Sequence, residues 1–387
     1  MNTSICLLSP AEQQLRLQKL NPAGPMIFCD PANLFYLTGR IFAGYLYVSS
    51  DLKPVYYIKR PLELTGGDIR YIRKPEDIAA DFPDGFDTLG LELSSMPAAD
   101  AMRVQKGLNA RELINASPLI MAARAVKTPL EISLLEEDGI KQAACYGRIP
   151  GLFQSGMTDI ELQAAIEYTL RLNGCLGIFR TNGPMELHMG SVLTGENADE
   201  PSPYDFAMGG HGISPALPVG ASGEEIKPDA VVMVDMNGCF TGYMTDMTRM
   251  YCNASSASQL NPRVLAAWEC SREICHALAQ AGLPGTEAKR LYELAVEIAE
   301  RHKLTAYFMG HRQHAGFVGH GIGITVNELP VIAPRSKAVL AEGNVIALEP
   351  KFVIPGFGAI GIENTYVVTP AGLRCITPAP EEITPLI

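Results

Sequence analysis

VDMNGCFTGYMTDMTR, residues 234–249, places Asp235 and Asp246 eleven positions apart in strand-like sequence. The run leading into it, AVVMVD, is apolar, and the nearest clear base is Arg249. Carboxylates set where water is scarce demand either protons or a source of positive charge. A second stretch, NVIALEPKFVIPGFGAIGIENTYVV (344–368), repeats the pattern with Glu349 and Glu363, fourteen apart and each in an apolar run. Its midpoint is residue 356, within the turn signal Pro355-Gly356. A hairpin reversing there sets the two glutamates directly opposite each other on one face of a sheet. For the aspartates to face each other, the reversal must fall near residues 240–241. The rival turn Asn237-Gly238 would pair Asp235 with Phe240 and leave Asp246 roughly 20 Å up the partner strand, at about 3.4 Å per residue. The wider loop is therefore expected.

A fifth group lies in GHGIGITVNELP (319–330), where His320 sits between glycines ahead of a β-branched run. Flanking glycines let the backbone approach closely and leave a ring nitrogen free, although a histidine so placed also serves structural roles. Four carboxylates desolvated together would repel and largely protonate, whereas two divalent cations balance them charge for charge. Oxygen-rich ligands with a single imidazole suit Mn²⁺, Fe²⁺ or Co²⁺, with Zn²⁺ admissible. Two such ions, about 3.5–4 Å apart, hold a bridging hydroxide and polarise a carbonyl.

This series of motifs resembles the pita-bread metallopeptidases, the prolidase and aminopeptidase P branch in particular. The order is Asp235, then Asp246-x-Thr-Arg, GHGIG followed by Glu328-x-Pro330, Glu349-Pro350, and Gly361-x-Glu363. NLFYLTG (33–39) and ARAVKTPLEISLL (123–135) resemble the creatinase-like N-terminal domain of the same branch. The resemblance implies an α+β chain: a creatinase-like N-terminal α/β domain, then a pita-bread domain whose curved antiparallel sheet is covered by helices. It further implies two metal ions on Asp235, Asp246, His320, Glu349 and Glu363, with Glu349 also handling the proton of the attacking water. A homodimer is implied as well. The expected activity is hydrolysis of a peptide or amide C–N bond, by default as an Xaa-Pro dipeptidase or aminopeptidase.

Several positions depart from that pattern. The family's peptidases carry a histidine where this chain has Pro218, and His-Glu or His-Asp where it has Asn327-Glu328. Aminopeptidase P has a histidine at the position of Gly316 and an arginine at that of Gly361. The aromatic after Glu-Pro-Gly is replaced within Lys351-Phe352-Val353. Losing one oxyanion-type donor typically costs roughly 10²–10³ in rate. Other side chains must then take over, or the substrate is not an ordinary Xaa-Pro peptide. A small non-peptide C–N substrate, as in creatinase or ectoine hydrolase, is the alternative, and a catalytically silent binding module a third reading. Substitutes are sought in the loop-like segment 186–216, with His188 and His211, and at His311, His314 and Asn327. His211 and Asn327 are the substrate-binding candidates. Cys239 reads as packing.

The rest of the chain frames this site. At 387 residues, 47% hydrophobic and 19% charged, it is long enough for two soluble domains with their own cores. A net charge of −11 argues against nucleic acid, and no apolar run is long enough for a membrane span. Nine scattered cysteines and no signal-peptide pattern point to a reducing cytoplasm. The first residues, MNTSICLLSPAEQQLRLQKL, read as a short amphipathic helix. Residues 25–122 alternate apolar runs (PMIFCD, LFYLTG, YLYVSS, PVYYIKR, FDTLGLEL) with turn signals, and SSDLKP (49–54) reads as a hairpin turn. Thr128 and Glu131 around Pro129 form a helix start. The domain boundary is placed there, giving 1–122 and 123–387. GMTDIELQAAIEYTLRLNG (156–174) and PGTEAKRLYELAVEIAERH (284–302) hint at a duplication within the second domain.

Overall fold

The computed structural model describes residues 8–21, 24–181, 189–205 and 208–386. His188 lies outside them. The chain divides into two compact units, one ending at Arg124 and one beginning at Ala125.

The first unit is built on strands β1 (Met26–Phe28), β2 (Ala43–Val48), β3 (Pro54–Arg60), β4 (Asp68–Tyr71), β5 (Phe86–Leu91) and β6 (Ala110–Asn115). They form one mixed sheet in the order β4-β3-β2-β1-β5-β6. β2 and β3 are the hairpin expected around SSDLKP, with Val48 paired to Pro54 and Leu52 in the left-handed region. Helix α1 (Pro10–Leu20) starts on a Ser9 cap, as the amphipathic pattern requires. LFYLTG is a correction: it is not strand but the body of helix α2 (Pro31–Thr38). Asp30 caps it by accepting from the Ala32 and Asn33 amides, and Pro31 presets the first turn. Helices α3 (Ala98–Gly107) and α4 (Ser117–Ala125) complete this unit's framework.

The second unit opens with α5 (Pro129–Tyr146), on the expected capping box of Thr128 and Glu131. It continues through α6 (Asp159–Leu172), β7 (Gly190–Thr194), β8 (Val231–Met236), β9 (Thr248–Cys252), α7 (Pro262–Ala281) and α8 (Ala288–Arg301). The remaining strands are β10 (Gly319–Gly321), β11 (Glu328–Ile332), β12 (Val345–Leu348), β13 (Lys351–Ile354), β14 (Gly358–Gly361), β15 (Asn364–Thr369), β16 (Gly372–Cys375) and β17 (Thr384–Pro385). Two sheets run β17-β9-β8-β7 and β11-β10-β12-β15-β16, with β13-β14 as a hairpin. Apart from the short parallel β17-β9 pair, every pairing in this unit is antiparallel. Helices α7 and α8 cover the sheets: Ile274, Leu278, Leu291 and Ile298 share one apolar core with Met233, Met250, Leu348, Phe352 and Ile360. Among the described residues no helix is long and apolar enough to cross a membrane.

The two similar helices occupy matching places. The residue before each helix bridges to a returning segment, Thr158 to Glu225 and Glu287 to Val339. Their starts differ, however. Thr158 caps α6 in a capping box, whereas Thr286 turns its hydroxyl back to the Ala281 carbonyl and leaves α8 without a side-chain cap.

Candidate metal centre

The ladder that carries the two glutamates keeps one register from end to end. Val345 pairs with Val367 and Leu348 with Asn364 on one side of the pair, and Lys351 with Gly361 and Ile354 with Gly358 on the other. Glu349 therefore faces Glu363, and the turn centres on Gly356, whose φ of 84° is the left-handed value a tight reversal needs. Pro350 has no amide to donate at the middle of this ladder. Ser271, from α7, fills the gap: its Oγ donates to the Pro350 carbonyl (2.5 Å) and accepts from the Ile362 amide (2.9 Å).

The aspartates follow the wider loop, displaced by one residue from the expected reversal. Asp235 pairs with Thr248 and Gly238 with Thr245, so Asp246 is the diagonal rather than the direct neighbour of Asp235. Thr365 fixes Asp246 by accepting from its amide (2.9 Å) and donating to its carbonyl (2.8 Å). Thr248 donates its hydroxyl to Glu363 Oε2 at 2.9 Å. His320 arrives on β10, where its Nδ1 meets the Gly321 carbonyl at 3.0 Å. That contact makes Nδ1 a protonated nitrogen and turns Nε2 toward the acids, 3.4 Å from Glu349 Oε1.

Arg249, the base nearest in sequence, is not a counter-ion. Its guanidinium is buried against the carbonyls of Thr248, Glu363, Ala379 and Pro380 and the Asn364 side chain. The positive charge comes from a residue absent from the candidate list, Lys351. Its Nζ donates to Asp235 Oδ2 (2.7 Å), Glu349 Oε2 (2.8 Å) and Glu363 Oε2 (3.0 Å). The signal for it lies in the sequence, since residues two apart in a strand share a face and Lys351 therefore stands beside Glu349.

The electrostatics sort the acids into two kinds. Burial works against the Lys351 ammonium, but Asp235, Glu349 and Glu363 outweigh it and raise its pKa well above the ordinary value. Burial also pushes Glu349 up, yet Lys351 and His320 prevail and hold it down at about 2. Glu363 is driven by burial up to about 7, and Asp246 well above the carboxylate range, by burial first and then by Glu363 and Asp235. These last two are acids short of positive charge. Together with His320 they offer ligand atoms that all lie within 4.8 Å of one another. Glu363 Oε1 is buried with no hydrogen-bond partner. An orphaned carboxylate oxygen, a second under-compensated acid and an imidazole nitrogen turned toward them fit a divalent cation.

The cavity over these groups is lined by Asp235, Asp246, His320, Glu349 and Glu363, with Phe179, Leu193, Met208, Phe317 and Val326 among its apolar walls. Asn327 lines it too. His211 does not: its side chain is exposed and its Nδ1 meets the Gly212 carbonyl. His311 is paired with Asp199 and His314 with the Phe308 carbonyl, both outside the lining. Cys239 is buried, its thiol pushed up to about 12 by burial and then by Asp138, which fits packing rather than reactivity. Glu328 is structural. It accepts from the Ile324 and Thr325 amides and pairs with buried Lys127 at 3.1 Å.

Residues 134–370 match the model of metallopeptidase family M24, and residues 18–126 that of the creatinase/prolidase N-terminal domain. An Xaa-Pro dipeptidase of Pyrococcus furiosus is 26% identical over 95% of this chain and 99% of its own length. The solved prolidase of Pyrococcus horikoshii superposes with a TM-score of 0.77 at 22% identity, covering 95% of this chain and 99% of that one. The X-Pro aminopeptidase of Thermotoga maritima superposes at 0.80 with 19% identity, covering 96% and 99%.

Proposed function

Since the chain belongs to metallopeptidase family M24, we propose that it is a divalent-metal-dependent hydrolase of the amide bond before or beside a proline, acting at the centre formed by Asp235, Asp246, His320, Glu349 and Glu363. The observation that carries this reading is the convergence of all five side chains on one cavity. The printed activity of the 26% identical relative, Xaa-Pro dipeptidase, supports the same default.

A divalent ion at this centre supplies Lewis acidity toward the scissile carbonyl and acidifies a water molecule. The protein's own groups do the remainder. Glu349 is the carboxylate that takes the proton of the attacking water and returns it to the leaving nitrogen. Thr248 and Thr365 hold Glu363 and Asp246 in place so that ligand geometry precedes binding. The apolar walls suit a proline ring, and Asn327 offers an amide to the substrate's polar atoms. We expect Mn²⁺ first among the candidate ions. We also expect a homodimer in a reducing cytoplasm, in keeping with described cysteines that are all free thiols.

A second reading, a small non-peptide amide or C–N substrate, is favoured by one feature of the cavity. Among the described residues no arginine or lysine lines it, leaving no cation to receive a dipeptide's terminal carboxylate. A panel of Ala-Pro, Leu-Pro, Ala-Pro-Ala and proline-free dipeptides, run with Mn²⁺, separates the readings. Turnover of an Xaa-Pro substrate supports the peptidase. No turnover of any peptide by metal-loaded protein rejects it in favour of the non-peptide substrate.

A further inference from the structure

We infer that this chain holds one divalent cation rather than the two its family resemblance implies, because the ammonium of Lys351 occupies the place of the second. The inference rests on the proposal that the centre is a metal site. It starts from how the ligand atoms divide. One oxygen each from Asp235, Glu349 and Glu363 grips Nζ at 2.7, 2.8 and 3.0 Å. Asp246, His320 and Glu363 remain as the trio whose ligand atoms lie within 4.8 Å of one another. Asp235 is thus committed to the ammonium and is no member of the open trio. Two positive centres share one basket of acids, one of them fixed by a covalent stem.

The stem is built in. Lys351 stands where the Glu-Pro-Gly motif has glycine, and its side chain is 1% exposed. Its backbone is anchored by the Met309 amide, which donates to the Lys351 carbonyl at 2.8 Å. Directly across the ladder is Gly361, where aminopeptidase P has arginine. A Cβ added at Gly361 would lie 2.8 Å from Lys351 Cγ and 2.9 Å from its Cα, closer than real Cβ atoms approach. The lysine and the missing side chain opposite it are therefore one device. A cationic chain on one strand fills the space vacated on the other, and its tip lands among the carboxylates. The ammonium is buried among these oxygens, and like charge repels a dication from them.

One dication and the ammonium then supply one positive charge fewer than two dications would, with only one Lewis acid. Lys351 neutralises and positions acids but coordinates nothing, so Asp246, His320 and Glu363 would hold the one ion able to supply Lewis acidity, with Glu349 still the proton acceptor.

The test is metal stoichiometry on the full chain, stripped by chelation, reloaded with excess Mn²⁺ and desalted. Elemental analysis and titration calorimetry count the ions, and low-temperature electron paramagnetic resonance reads their coupling. The expected result is one manganese per chain with an uncoupled six-line spectrum. Lys351→Gly, which restores the glycine of Glu-Pro-Gly, is expected to bind two manganese ions with an exchange-coupled spectrum. Lys351→Ala is the second variant, and circular dichroism checks that each is folded. Two manganese ions per wild-type chain overturn the inference, as does a folded Lys351→Gly or Lys351→Ala variant that stays at one. Turnover of Ala-Pro on the same samples keeps the two claims apart. Turnover with two ions overturns only the single-ion inference, one ion without turnover of any peptide overturns only the peptidase reading, and no bound ion overturns both.

Discussion

Glu349 and Glu363 face each other across a ladder whose register is unbroken on either side of Pro350. The strand carrying Glu349 cannot donate at the proline, and the hydroxyl of Ser271 replaces the missing link. Helix α7 thereby holds the two acids at a fixed separation.

Ser271→Ala removes that link and leaves a buried carbonyl and a buried amide unpaired, at about 1–3 kcal/mol for each group. The variant is expected to lose roughly 2–6 kcal/mol of stability by denaturant unfolding. Its activity should fall with it, because Glu349 and Glu363 are no longer held in register. An unchanged unfolding midpoint would show that the ladder closes without the hydroxyl.

Glu349→Gln keeps the size of the side chain and removes the proton acceptor. General acid–base catalysis is worth roughly 10²–10⁴ in rate, and kcat is expected to drop by that factor. Manganese binding should persist, since Asp246, His320 and Glu363 remain. Retained activity would move the proton-transfer role elsewhere.

The legible part of this molecule was what side-chain period and turn chemistry control. Pro355-Gly356 and the spacing of Glu349 and Glu363 sufficed to set their pairing, because a hairpin's register follows from its turn. The aspartate loop came out one residue off, since Gly242 and its neighbours make a longer reversal than any two-residue turn rule describes. LFYLTG was misread as strand because its apolar run hides a helix that only Asp30 and Pro31 announce. His211 offered a histidine in a glycine-rich loop, a pattern that says nothing about which way the ring points. Lys351 required weighing a charged residue in an apolar strand as a partner of the acids, not only as an exception to the run. Ser271 and Thr365 carried no local signal, because their roles arise from contacts between distant elements, and Thr248 stood in the Asp246-x-Thr-Arg motif without its contact to Glu363 being readable there.

Asp138 gives the loop between the aspartates a pH dependence. Burial pushes its carboxyl up to about 7, against the pull of the Phe240 and Thr241 amides and of Lys141. A raised carboxyl favours the folded state while protonated, and that contribution fades as pH climbs from the ordinary carboxylate range through about 7. Wild-type Tm is therefore expected to fall relative to Asp138→Asn between pH 4 and pH 8, whatever the variant's overall cost. Parallel Tm profiles would mean that the carboxyl stays ionised throughout.

Metal loading should register in stability. A ligand at about 100 times its Kd stabilises by about 2.7 kcal/mol, which for a unit of this size is a Tm rise of several degrees. Mn²⁺ is expected to raise the Tm of the chelator-treated protein, and Asp246→Asn should abolish the rise by removing one of the trio. Equal shifts in both proteins would place the ion elsewhere.

The most direct measurement is anomalous diffraction at the manganese edge from crystals of the full chain grown with Mn²⁺. The account predicts a peak bounded by Asp246, His320 and Glu363, with the Lys351 ammonium among Asp235, Glu349 and Glu363. A map with no anomalous signal among these side chains, or with the acids turned away from one another, would contradict it.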